Sequence, residues 1–196
     1  MGALTAGRAA LICAALGFLL LPWHGLERGL ADLAAWPGGA AAPLILLLLD
    51  GSRWWLWPVA LLIGLAAPPL LRGRAPGTVL TLAGAGILVW VALMGQAIGL
   101  RGLEWDWLAP LLGAPPAQPS LGWGALLVLA GAVGLLSAGL AARGAFGADA
   151  FIAFLVTGSA LLLALFVFAP LATILTAAIY DGDRFAPDAL AARLTA

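Results

Sequence analysis

Long apolar runs, rather than stripes or alternating positions, dominate the hydrophobic pattern of this chain. The longest run, residues 151–179, contains no charged residue; Asp149 precedes it, and Tyr180 and Asp181 close it. About 20 consecutive apolar residues are enough to cross the hydrocarbon core of a bilayer. We therefore predict a membrane-spanning helix within this run.

Four shorter runs predict further spans, and their approximate limits are residues 5–22, 54–71, 78–100 and 121–142. The first is followed by Pro22-Trp23-His24 instead of the small-residue cleavage site of a signal peptide, so we interpret it as a retained anchor. A further apolar segment is too short to span, and we expect a short interfacial or re-entrant helix near residues 43–50. The predicted fold is an all-α, polytopic transmembrane helix bundle of about five spans.

The arginines predict the orientation of this bundle. Four of them lie in short segments on one side: Arg8, Arg72, Arg74 and Arg143. Asp149 is the only acid expected on that side, and basic residues in short loops favour the cytoplasm. We therefore expect a cytoplasmic N-terminus, an outer C-terminus and a multi-pass protein of the bacterial inner (plasma) membrane. All tryptophans except Trp90 fall on the opposite side, as expected for a membrane interface.

Composition narrows the class of protein. Hydrophobic residues make up 64% of the chain and charged residues 9%, with a mean hydropathy of +1.10. A soluble domain needs more charge to coat its surface, so the lipid bilayer is the expected partner. The net charge of zero gives no indication of a nucleic-acid partner. Cys13 is the only cysteine, which excludes an internal disulfide.

The predicted spans contain no Asp, Glu, Arg, Lys or His near their middle. Ion-coupled carriers place charges at that depth although each costs about 2.5–3.5 kcal/mol, because the charge does the coupling. We therefore expect no proton relay and no intramembrane enzyme, and we assign no catalytic residue, cofactor or metal site. His24 has no second ligand beside it in sequence, and Asp181-Gly182-Asp183 lacks the glutamate that completes a calcium loop.

Three residues within the spans are candidates for a pathway or for helix packing. Gln96 is the most polar residue at depth, and it predicts a pathway contact, a hydrogen bond between helices or a position near the outer interface. Gly134 lies between Ala130 and Ala138 at four-residue spacing, which favours close helix packing. Pro170 predicts a kink in the last span, with either a structural or a gating role.

The last span and its tail resemble a known family. The segments that carry the resemblance are Leu165-Phe166-Val167-Phe168-Ala169-Pro170-Leu171, Ile174-Leu175 and Asp181-Gly182-Asp183-Arg184-Phe185. They resemble the first core helix of binding-protein-dependent ABC transporter permeases of the iron(III) type. Gly25-Leu26-Glu27 and Arg53-Trp54-Trp55 resemble the N-terminal extension that some of these permeases carry. The resemblance implies a four-span extension over residues 1–147, and the first core helix with a periplasmic tail over residues 148–196.

The resemblance also implies partners: the remaining permease core, an ATPase subunit and a periplasmic binding protein. One departure from the family concerns the ATPase, which such permeases contact through a cytoplasmic loop with a Glu-Ala-Ala signature. The expected cytoplasmic loops, 72–76 and 143–148, are too short to contain it. We therefore expect an N-terminal portion of a permease that does not itself couple to ATP hydrolysis. The alternative is a stand-alone integral membrane assembly or scaffold protein without transport activity.

Overall fold

A computed structural model of the chain describes residues 2–24, 51–99, 102–112, 121–168, 170–171, 174, 180–181 and 184–185. Most of them belong to five α-helices: α1 (Ala3–Leu20), α2 (Trp57–Leu71), α3 (Gly77–Ala97), α4 (Trp123–Ala142) and α5 (Ala150–Leu163). Each helix lies in a segment that is long and apolar enough to cross a membrane. The predicted all-α bundle with five spans is therefore confirmed. The helix expected near 43–50 lies outside the described residues.

Proline and short turns set the helix limits. A 3₁₀ turn, Gly51–Leu56, leads into α2, and Pro58 lies in the first helical turn, where its missing N–H loses no hydrogen bond. α3 begins directly after Pro76. Short elements follow α3: the antiparallel strands β1 (Ile98–Gly99) and β2 (Gly102–Leu103), a 3₁₀ turn (Asp106–Leu108) and a helical turn (Ala109–Leu112).

The chain divides into two compact units, Met1–Phe154 and Leu155–Ala196. In the first unit, α1 packs on α2 and α4, and α3 packs on the same two helices, so the four helices form a closed ring. Gly17 meets Gly124 at one end of the α1–α4 pair, and Gly7 meets Ala138 at the other, so these neighbours are antiparallel. This is the arrangement of an up-down four-helix bundle. The predicted boundary between residues 147 and 148 separates the four-span extension from the first core helix, and it stays a prediction.

Helix α4 meets α1 along a seam of small residues formed by Gly124, Gly131 and Ala138. A Cβ added at Gly131 would lie 2.7 Å from both the Ala10 carbonyl oxygen and the Ala14 backbone nitrogen. The two helix backbones are therefore in contact. In a bilayer the hydrophobic effect does not drive helices together, because lipid tails are as apolar as the helix surface. Close approach of the backbones provides van der Waals contacts that drive the association instead.

A second seam on α4 faces α3 and contains Ala132 and Gly139. Gly84 of α3 abuts the Ala132 carbonyl oxygen, and a Cβ at Gly139 would lie 2.5 Å from the Thr81 hydroxyl oxygen. Of the residues at the predicted four-residue spacing, Gly134 and Ala138 pack against α1, and Ala130 is exposed. Seven residues make almost two turns of an α-helix, so a seven-residue spacing returns to the same face more closely than a four-residue one.

The second unit begins within α5. Residues Ala164–Phe168 form a π-helical turn, and Pro170 follows in helical conformation. The ring of a proline clashes with the carbonyl group four residues earlier, which is here that of Phe166, and π turns are one way in which a helix accommodates such a disturbance. The described tail is an antiparallel hairpin of β3 (Tyr180–Asp181) and β4 (Arg184–Phe185).

Candidate functional site

The three candidate residues predicted from the sequence have separate surroundings. Gln96 is exposed in the last turn of α3. Gly134 packs against α1, and a Cβ there would lie 2.7 Å from the Ala10 Cβ. Pro170 is exposed and belongs to the second unit. A pathway role for any of the three stays a prediction, and the polar interactions of the four-helix ring lie elsewhere.

One end of the ring is a cluster that we call the tryptophan end, and it consists of Trp23, His24, Arg53, Trp55 and Trp90. The rings of Trp23 and Trp55 meet edge-to-face with 6.0 Å between centroids, and both are almost fully buried. The indole nitrogen of Trp90 donates a 2.8 Å hydrogen bond to the Trp55 carbonyl oxygen. Trp90, the exception in the sequence-based distribution, therefore reaches the other tryptophans.

Backbone hydrogen bonds fasten the start of α4 to the end of α1 at the tryptophan end. The N–H of Gly122 donates to the Trp23 carbonyl oxygen at 2.7 Å, and the N–H of Gly124 donates to the Pro22 carbonyl oxygen at 2.8 Å. A side chain at either glycine would overlap the carbonyl oxygen of Pro22. The two glycines therefore permit a backbone contact that any other residue would push apart.

His24 acts as a hydrogen-bond acceptor in this cluster. Its Nε2 meets Nη1 of Arg53. Because a guanidinium can only donate, we assign the acceptor role to Nε2 and the imidazole proton to Nδ1. Burial, and then the charge of Arg53, lower the pKa of His24 to about 4. The imidazole is therefore neutral at physiological pH and complements a permanent cation.

The opposite end of the ring, which we call the arginine end, carries Arg8, Arg72, Arg74 and Arg143. Helix α2 ends there in a Schellman motif: the N–H of Gly73 donates to the Leu70 carbonyl oxygen at 3.2 Å, and that of Arg74 donates to the Pro69 carbonyl oxygen at 2.8 Å. Gly73 has φ +75°, a conformation that favours glycine. The motif fixes the backbone of Arg72 and Arg74 on either side of this glycine.

Arg8 and Arg143 approach the same turn from α1 and α4. The Nε of Arg8 donates a 2.9 Å hydrogen bond to the Leu70 carbonyl oxygen, and its Nη2 lies 3.9 Å from where a Cβ on Gly73 would stand. The side-chain stem of Arg143 packs over Gly77 at the start of α3. All four arginines are exposed and flank the turn that connects α2 to α3.

A left-handed turn connects α4 to α5. Its residues with φ between +53° and +87° are Gly144, Phe146, Gly147 and Ala148. Asp149 follows and caps α5 by accepting the N–H groups of Phe151 at 2.8 Å and Ile152 at 3.3 Å. The pKa of the Asp149 carboxyl is lowered, and the hydrogen bond from the Phe151 N–H is the largest cause. An N–H donor lowers this pKa because it stabilises the ionised carboxylate more than the protonated acid.

The two ends present guanidinium, imidazole and indole groups, all of which can form hydrogen bonds. Within the described ranges, no three His, Cys, Asp or Glu side chains lie close enough together to hold a metal ion. Sequence reasoning missed the arginine end as a site, although Arg72-Gly73 and Arg143-Gly144 carry a recognisable signal. A cation followed by glycine is a common helix C-terminal signature.

Five apolar spans, closely packed small residues and exposed leucine and phenylalanine side chains together define a multi-pass α-helical membrane protein. Comparison with known proteins found no matching protein family, curated protein or solved structure. The particular function is therefore inferred from the residues and their geometry.

Proposed function

We propose that this chain is the N-terminal membrane-spanning portion of a binding-protein-dependent ABC importer permease for iron(III). In this proposal α1 to α4 form a peripheral bundle, and α5 begins the translocation core. Iron(III) is substrate, held by a separate periplasmic binding protein and passed to the permease. ATP hydrolysis takes place on a separate ATPase subunit in the cytoplasm, on the same side as the arginine end.

The exposed apolar surface of α5 is the observation that carries this proposal. In the most apolar 18 residues of the segment Ala150–Phe168, 6% of the residues are buried, against 33–50% in the corresponding stretches of the other four spans. Large side chains are exposed along its length: Phe151, Phe154, Leu162 and Phe166 are 41–70% exposed. A core helix of a permease needs an exposed apolar surface of this kind, because the helices that follow it in the chain pack against it. The residues that resemble the first core helix begin in the same segment, at Leu165-Phe166-Val167-Phe168.

The first four helices support a peripheral role. The four helices pack into a closed ring, and the charged groups described on them lie near the helix ends. Gly131 and Gly139 bring backbones into contact, and such close packing supports a structural role for these helices in the proposal.

Site-specific crosslinking in native membranes tests the proposal. A photoreactive phenylalanine analogue replaces Phe166, which is 70% exposed, in the tagged chain expressed in its own host. The expected product joins this chain to a permease-core helix of an ABC importer, identified by mass spectrometry. The same analogue at Ile12 of α1, which is 59% exposed, is the matched control and should react with lipid. If Phe166 also reacts with lipid alone, the proposal is wrong.

A stand-alone assembly or scaffold protein is the second candidate function. The same α5 surface favours it, because an exposed apolar helix face can recruit another membrane protein. Under this function, the analogue at Phe166 crosslinks to a protein that belongs to no ABC importer. Iron(III) uptake by cells that lack the chain would then equal uptake by the parent strain.

A further inference from the structure

Four arginines flank the turn that connects α2 to α3, and they have no carboxylate partner among the described residues. Arg8, Arg72, Arg74 and Arg143 form no ion pair with an acid in the described parts of the chain. Asp149, the acid closest in sequence to Arg143, accepts the backbone N–H groups of Phe151 and Ile152. Cations that flank one turn repel each other, and an anion bound beside them would relieve this repulsion.

Several of the arginines are positioned before any ligand binds. The Schellman motif fixes the backbone of Arg72 and Arg74, and the hydrogen bond to Leu70 fixes the Nε of Arg8. The stem of Arg143 is packed over Gly77. At Arg8 and Arg143, less side-chain entropy is therefore lost on binding than at freely rotating side chains. Guanidinium groups in such positions match the geometry of phosphate oxygens, with which they form paired hydrogen bonds.

The surface next to the arginines is apolar, which indicates an amphiphilic ligand. A stripe of exposed positions at helical spacing runs along α2 up to Arg72: Leu61, Gly64, Leu65, Pro68 and Leu71. Leu71, directly before Arg72, is 74% exposed. No atom lies within 4 Å of a Cβ built at Gly64, so there is free space beside the stripe at this residue. An acyl chain can lie along this stripe while its phosphate reaches the guanidinium groups.

We propose that the arginine end binds the phosphodiester of an anionic phospholipid, with an acyl chain along the exposed stripe of α2. Basic pockets between transmembrane helices are known to suit such headgroups, and each arginine near a membrane surface contributes about 1 kcal/mol of attraction. The site does not depend on the proposed role in transport. It gives the four arginines a ligand in addition to their effect on orientation.

Lipid retention by the purified full-length chain tests this site. The chain in neutral detergent is equilibrated with equal amounts of phosphatidylglycerol and phosphatidylcholine that have identical acyl chains, and native mass spectrometry counts the lipids retained. We expect a clear excess of phosphatidylglycerol. Arg74→Gln should weaken phosphatidylglycerol binding about fivefold, and Arg74→Gln combined with Arg143→Gln about 25-fold. Arg184→Gln, the same charge change in strand β4, is the matched control and should bind like wild type.

The other outcomes distinguish a lipid from alternative explanations. Equal retention of the two lipids by wild type, or an equal loss in Arg184→Gln, would leave the arginines as topology signals alone and would overturn the proposal. Displacement of the lipid by inorganic phosphate at a matching concentration would show an inorganic anion site, and would overturn the assignment of a lipid.

A measurement on wild type alone covers the case in which the double variant does not fold. The excess of phosphatidylglycerol should fall as sodium chloride is raised from about 0.01 M to 1 M, because the Debye length shrinks from about 30 Å to 3 Å. Phosphatidylcholine retention should stay constant. Phosphatidylglycerol retention that does not respond to salt would contradict an electrostatic site.

Discussion

The indole ring of Trp23 meets that of Trp55 edge-to-face, with 6.0 Å between centroids and 67° between ring planes. Trp23 follows α1 and Trp55 precedes α2, so this contact closes one side of the four-helix ring. Both side chains are almost fully buried. Elsewhere the ring also contains fully buried aliphatic side chains, among them Leu80, Ile87 and Leu135. Because tryptophan is the largest side chain in this core, the contact between Trp23 and Trp55 is expected to stabilise the bundle.

Replacing Trp23 with alanine should lower the free energy of unfolding by about 3–5 kcal/mol, because a fully buried aromatic side chain is lost. Titration of the protein from mild detergent into dodecyl sulfate measures this loss. Trp107→Ala is the control: Trp107 is 73% exposed and stacks on Trp105 at 5.9 Å, so the loss should be about 1 kcal/mol. Equal losses in the two variants would contradict the role of the tryptophan end.

His24 should make the stability of the bundle depend on pH between about 6.5 and 4. Burial and the charge of Arg53 lower the pKa of His24 to about 4 in the fold, whereas the unfolded imidazole titrates near 6.5. As the pH falls through this window, the unfolded state takes up a proton that the folded state does not. Stability is therefore complete above pH 6.5 and decreases by about 3 kcal/mol by pH 4.

The variant His24→Gln isolates this effect. Its side-chain amide can still accept a hydrogen bond from Arg53 but does not titrate, so the slope in this window should disappear. His24 is the only histidine of the chain, so no other imidazole contributes to the slope. Dodecyl sulfate titrations at pH 7, 6 and 5 provide the comparison. A slope that persists in His24→Gln would refute the assignment to this residue.

The spans are predictable from the sequence, but the faces of the helices are not. A span must be long and apolar enough to cross the bilayer, and both properties can be read from the sequence. The structure begins α3 at Gly77 and α4 at Trp123, each within two residues of the predicted start. Lipid is as apolar as the interior of the bundle, so the hydrophobic pattern does not distinguish a buried face from an exposed one. Ala130 and Gly131 are neighbours in sequence, yet only Gly131 packs on α1.

The two ends of the bundle also differ in how far the sequence predicts them. The arginine end is partly predictable, because Arg72-Gly73 is a local signature of a helix end. The bond from Trp90 to Trp55 and the contact of His24 with Arg53 join residues from different elements. Sequence spacing within one element carries no signal for such pairs, so only the fold reveals them.

Gly131→Ala tests the seam between α1 and α4. The added Cβ would lie 2.7 Å from backbone atoms of Ala10 and Ala14, so the helices must separate, at a cost of about 1–3 kcal/mol. Gly64→Ala is the matched control within α2: no atom lies within 4 Å of the added Cβ, and the change should stabilise the helix by about 0.5–1 kcal/mol. Opposite signs in unfolding titrations are expected. Equal effects would show that the seam does not bring the backbones into contact.

Cysteine labelling tests the expected orientation. Cys13 is the only cysteine, so Cys13→Ser provides a clean background. In that background, Trp107→Cys and Phe146→Cys place single thiols at exposed positions near opposite ends of the bundle. A membrane-impermeant maleimide should label the thiol at 107 in intact spheroplasts and the thiol at 146 only after permeabilisation. The reverse pattern would show that the arginine end faces outward.

The left-handed turn between α4 and α5 predicts a substitution that stabilises the protein. Ala148 has φ +61°, which disfavours a residue with a Cβ by about 1–2 kcal/mol, and glycine removes this strain. Glycine also gains freedom in the unfolded chain, so Ala148→Gly should raise the free energy of unfolding by a net 0.5–1 kcal/mol, on the order of the known effects of such changes. Ala130→Gly, at an exposed position inside α4, should instead lower it by about 1 kcal/mol. Because the two variants make the same chemical change in opposite backbone conformations, a loss in both would show that Ala148 does not adopt the left-handed conformation.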